Sequence, residues 1–110
     1  MHKLCVASKD YKVISVEYKT SRLNHFPGAY NDALSAWEYV TSKGYLPENI
    51  IIVGDSAGGG LGLALTMYLR DNNIKVKAYM GLSPWVDLNC TSECFTNLKK
   101  KKGKVFNGIY

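Results

Sequence analysis

Nine residues in the middle of the chain constrain it most. Gly54-Asp55-Ser56-Ala57-Gly58-Gly59-Gly60-Leu61-Gly62 holds five of the ten glycines in the sequence. Directly before it stands Ile50-Ile51-Ile52-Val53, a continuous apolar run that suits a strand buried on both faces of a parallel sheet. Directly after it, Leu61, Leu65, Tyr68 and Leu69 recur at helical spacing, and Asp71-Asn72-Asn73 ends the pattern after Arg70. A chain that passes from strand to helix in so few residues turns sharply. Such a turn needs residues without a Cβ where backbone meets backbone. Gly54 is expected to break the strand, and the helix to begin at Ala57 or Gly58.

The flanks extend the alternation. Lys12 to Tyr18 is short and rich in β-branched residues, which predicts a strand. Lys19 to Gly28 is polar and ends in Pro27-Gly28, which predicts a loop. Tyr30, Leu34, Trp37 and Val40 line one face of a helix over about 30–42, with Gly44 placed for a left-handed cap. Pro47-Glu48-Asn49 reads as a connector, and Val76 to Leu82 as a strand ended by Ser83-Pro84. Beyond Asp87 the pattern defines no element, although 93–98 admits a short helix. Strand, helix, strand, helix, strand predicts parallel pairing with right-handed crossovers. The expected class is α/β, a three-layer αβα arrangement with a mainly parallel sheet.

Composition limits the alternatives. Apolar residues are 46% and charged residues 21% of the 110, ordinary for a globular domain and unlike a disordered chain or a fibre. The apolar runs are too short for a bilayer-spanning helix, and Met1-His2-Lys3 does not introduce a secretory signal. A cytoplasmic location and no stable membrane insertion are expected. Cys5, Cys90 and Cys94 are odd in number and irregularly spaced, which suggests reduced thiols; with only His2 and His25 far upstream they make a poor zinc site. The net charge of +5 resides in Lys99, Lys100, Lys101, Lys102 and Lys104; the other nine basic side chains balance the nine acids. The chain thus divides into a neutral core, 1–98, and a basic tail, 99–110. The tail reads as a solvated end. An anionic partner is the alternative, but no basic face interleaved with aromatics accompanies the run, so nucleic acid is not an expected partner.

The chemistry lies in the glycine-rich turn. Gly54 and Gly58 bracket Ser56 in G-x-S-x-G, the pattern of a nucleophile elbow. A serine on such a turn has its hydroxyl exposed above the sheet edge, while Gly54 and Gly58 leave the room the bend requires. The backbone N–H of Ala57, at a helix N-terminus, can point at a developing oxyanion. Two other readings stay open: a flexible loop with a surface serine, and phosphate binding at the same helix start. For the second, no P-loop lysine and no complete G-x-G-x-x-G is present.

The flanking residues carry a resemblance. Gly54-Asp55-Ser56-Ala57-Gly58-Gly59 resembles the GDSAGG signature of the hormone-sensitive-lipase-like esterases, an α/β-hydrolase family. Val16-Glu17-Tyr18, Phe26-Pro27-Gly28-Ala29, Asn31-Asp32-Ala33-Leu34 and Leu82-Ser83-Pro84-Trp85-Val86-Asp87-Leu88 resemble further segments of that family in its order and spacing, over about 10–95. The resemblance implies the central part of an α/β-hydrolase fold and serine acyl transfer on a small-molecule ester, with no metal or organic cofactor. Ser56 would be the nucleophile, Ala57 an oxyanion donor, and Gly54, Asp55, Gly58 and Gly59 the elbow, with Asp55 helping to fix the turn.

Departures from the family pattern are equally plain. No histidine follows Ser56, and His2 and His25 read as surface imidazoles. Asp87 matches the segment after a strand, not the family's later triad acid, and reads as structural. The upstream HGGG-type loop is absent from these residues. The resemblance also implies a missing strand between those over 12–18 and 50–53. The expectations are therefore weak or no activity for the chain alone, and self-association through unpaired strand edges. A non-catalytic hydrolase-like binding module is the alternative.

Overall fold

The computed structural model describes residues 10–20, 25–87 and 89. Helix α1 spans Gly28–Ser42, strand β1 Ile51–Asp55, helix α2 Ser56–Asp71 and strand β2 Ala78–Leu82; a 3-10 turn, Pro47–Asn49, leads into β1. The expected helix–strand–helix–strand order is present. The basic tail, the Cys90–Cys94 segment and the 93–98 helix lie outside the described residues.

β1 and β2 pair in parallel, with Ile51 opposite Ala78 and Gly54 opposite Gly81. The Lys77 N–H extends the ladder to the Ile50 carbonyl at 2.9 Å. α2 crosses between the two strands and packs on one face of the pair, and α1 packs on α2. The buried stripe of α2 is Gly59, Gly62, Leu65 and Leu69, at helical spacing. Leu65 and Leu69 meet Ala33 of α1 to form the centre of the core, with Leu34, Trp37, Ile52, Leu61, Ile74 and Val76 packed around it. The expected apolar faces of both helices are therefore the ones in use. Tyr68, assigned to the buried stripe, instead stands at its margin, edge-on to Tyr30 at 6.3 Å between ring centroids.

Helix ends follow local chemistry. Gly44 takes φ +91° just past α1, and its N–H reaches the Thr41 carbonyl at 3.0 Å, the left-handed termination expected there. Asn73, with φ +59°, serves α2 in the same way.

Several expectations are corrected. Residues 12–20 form no strand. A strand exists only as one member of a ladder, and here the Lys19 N–H goes to the Asp32 carboxylate at 2.8 Å rather than to a neighbouring strand. Gly54 does not break β1, which continues to Asp55, and α2 begins at once at Ser56. The third strand starts at Ala78 rather than Val76. β1 is not buried on both faces. Ile52 packs into the core, while Ile51 and Val53 remain 37% and 38% exposed, because among the described residues only α2 covers the sheet, on one side.

Candidate active site

The junction of β1 and α2 is built from four glycines that bring backbones into contact. A Cβ on Gly54 would fall on the carbonyl of Gly58, one turn into the helix. A Cβ on Gly59 would lie 2.8 Å from Pro84 Cβ. One on Gly60 would strike the Trp85 carbonyl, and one on Gly81 would meet Tyr79 Oη. The register pair Gly54 and Gly81 thus lets α2 and the Pro84 turn descend onto the end of the sheet.

Between Gly54 and Gly58 the chain makes the bend that the sequence predicts. Ser56 has φ +47°, in the left-handed region that a residue with a Cβ seldom enters, and it is exposed. Holding a non-glycine residue there costs on the order of 1–3 kcal/mol, and the surrounding contacts must supply it. Asp55 occupies the N-cap position in extended geometry, and its side chain makes no capping hydrogen bond. Helix geometry gives the first amides of α2, those of Ser56 to Gly58, no intrahelical acceptor. The Ala57 N–H belongs to that set, at the positive end of the helix dipole.

Neighbours that sequence reasoning missed complete the site. The Tyr79 hydroxyl donates to the Gly59 carbonyl at 2.7 Å, joining β2 to the first turn of α2. Tyr18 Oη lies 3.5 Å from where a Gly58 Cβ would be. The Trp85 N–H donates to the Ser56 carbonyl at 2.8 Å, and the indole N–H of Trp85 donates to the Asp87 carbonyl at 2.8 Å. No spacing rule connects residues 79 or 85 with 59 or 56. The one signal was the small residue at 81, paired with Gly54. His25 is exposed, and its carbonyl accepts from the Gly28 N–H at 2.9 Å; His2 lies outside the described residues.

A strand, a left-handed serine and a glycine-rich helix in immediate succession define a class of protein, and the comparisons with known proteins place the chain in it. The family model of the alpha/beta hydrolase fold matches residues 1–107. The chain belongs to the α/β-hydrolase fold family. It is 33% identical over 91 residues to an acetyl-hydrolase of Streptomyces hygroscopicus, a match covering 82% of this chain and 30% of the relative. It is 36% identical over 76 residues to the carboxylesterase/phospholipase LipF of Mycobacterium tuberculosis, covering 69% of this chain and 20% of the relative. Among solved structures it superposes on an esterase from the bacterial hormone-sensitive lipase family with a TM-score of 0.68 and 34% identity, over 81% of this chain and 30% of that one. The chain therefore spans less than a third of the length of these relatives, and the resemblance to the hormone-sensitive-lipase-like branch holds over that part. No helix among the described residues is long and apolar enough to cross a membrane.

Proposed function

We propose that this chain carries the nucleophile-bearing part of a serine carboxylic-ester hydrolase, with Ser56 as the nucleophile. The observation that supports this most is the exposed Ser56 at φ +47° between β1 and α2. That conformation costs stability, and an exposed serine at the end of the sheet is what acyl transfer from this turn requires. The relatives named esterases and acetyl-hydrolases support the same reading.

In this mechanism Ser56 Oγ attacks the ester carbonyl carbon, a base removes the hydroxyl proton, and the carbonyl oxygen becomes an oxyanion facing the Ala57 N–H. Collapse expels the alcohol and leaves an acyl group on Ser56; water then releases the acid. The 110 residues contain no histidine after Ser56 to serve as that base. General acid–base assistance contributes roughly 10²–10⁴-fold, so the chain alone turns over esters poorly.

The test supplies the base from solution. The chain is incubated with p-nitrophenyl butyrate and increasing imidazole, and acylation is located by peptide mass spectrometry. The expected result is a butyryl group on Ser56 that forms faster as imidazole rises and is lost in Ser56→Ala. Acylation spread over lysines and unchanged in Ser56→Ala would overturn the nucleophile assignment. Fast turnover dependent on Ser56 without imidazole would overturn the incompleteness.

A further inference from the structure

The carbonyl of Ser56 and the N–H of Ala57 are two ends of one planar peptide group. Whatever grips the carbonyl therefore aims the N–H. That carbonyl receives the Trp85 N–H at 2.8 Å, across from the turn that follows β2. We propose that the Ser83-Pro84-Trp85 turn is a backbone clamp that orients the oxyanion-binding amide of Ala57, with the Trp85 N–H as the positioning group. The catalytic meaning of the clamp rests on the reading of Ser56 as nucleophile; the clamp itself does not.

Four features hold the turn in place. Ser83 takes φ +44°, so each of the two parallel strands is followed directly by a serine in the left-handed region. Asp55 and Leu82 are register partners, which sets Ser56 and Ser83 next to each other just past the sheet end. The bend at Ser83 then turns the chain back over α2, where Pro84 sits on Gly59 and the Trp85 carbonyl on Gly60, both too close to admit a Cβ. Finally, the indole N–H of Trp85 closes onto the Asp87 carbonyl at 2.8 Å, fixing the far side of the turn. The glycines at 59 and 60 therefore serve the approach of this turn and not helix stability, for which glycine is a poor choice.

Two consequences follow from general physics. A hydrogen bond to a peptide carbonyl polarises the group and makes its N–H a better donor. It also adds a restraint from outside the helix on the peptide plane that carries the Ala57 N–H. Removing an oxyanion donor outright costs about 10²–10³ in rate, so loosening one through its own peptide predicts a smaller loss, about tenfold.

The experiment replaces the Trp85 amide nitrogen by oxygen in the full chain by semisynthesis, which deletes the donor and keeps every side chain. Two quantities are read: the imidazole-assisted rate of Ser56 acylation by p-nitrophenyl butyrate, and the amide resonance of Ala57. The expected result is about tenfold slower acylation and a displaced Ala57 resonance, with the α1 amides unmoved. An unmodified, isotope-labelled chain gives a second reading that needs no variant: a scalar coupling across the hydrogen bond between Trp85 nitrogen and the Ser56 carbonyl carbon. Absence of that coupling, or an Ala57 resonance and acylation rate untouched by the replacement, overturns the clamp. If Ser56 of the unmodified chain takes no acyl group, the nucleophile reading fails, and the coupling still decides the clamp.

Discussion

The two faces of the β1–β2 pair are made from the same kinds of residue and have opposite fates. On one face Ile52 and Tyr79 lie under α2, with Gly54 and Gly81 admitting the helix start and the Pro84 turn. On the other, Ile51, Val53, Met80 and Leu82 are as apolar, yet Met80 and Leu82 are 53% and 55% exposed. A strand offers its side chains alternately to both sides; whether either side becomes core depends on what is laid against it. The covered face also carries the contacts of the turn around Ser56. Every contact that fixes the elbow, from Gly54 on Gly58 to Tyr79 on Gly59, lies on the α2 side.

Substitutions on the two faces test that contrast. The largest effect is expected at the centre of the covered side. Leu69 is 1% exposed, and Leu69→Ala should destabilise by about 2–5 kcal/mol, read as a lost or strongly shifted urea transition. Gly54→Ala places a methyl on the Gly58 carbonyl and should cost about 1–3 kcal/mol. Because relief requires the elbow to open, it should also abolish Ser56 acylation; retained acylation would show that the close approach is not what shapes the turn. Tyr79→Phe removes one partly buried hydrogen bond, with an expected loss of about 0.5–1.5 kcal/mol in urea unfolding. Smallest of all should be Met80→Gln on the open face, within about 0.5 kcal/mol of the parent. A loss there as large as that of Gly54→Ala would mean that the open face is covered in solution, and sedimentation of the parent and variant would reveal a second copy as the cover.

Much of the fold was legible because it depends on local rules. The apolar face of α1, the stripe Leu61, Leu65 and Leu69, the left-handed Gly44 and the spacing of Gly54 and Gly58 about Ser56 are each set within a few residues. Residues 12–20 mark where such rules stop. Their β-branched composition invites a strand, but a lone strand leaves its donors and acceptors unpaired, and β1 pairs among the described residues with β2. The site divides in the same way. Ser56, Gly54, Gly58 and Gly59 could be named from spacing; Tyr79, Pro84 and the Trp85 N–H could not, because they reach the elbow from about 20 to 30 positions further along the chain.

The sequence by itself determined that a strand, a sharp bend and a helix would follow one another within residues 50–71, since glycine spacing and apolar period are properties of neighbours in the chain. Only the tertiary structure decided which face of that strand became interior and which distant amide grips the Ser56 carbonyl. Those outcomes follow from the parallel register of β1 with β2, and register is a relation between segments that no local residue pattern contains.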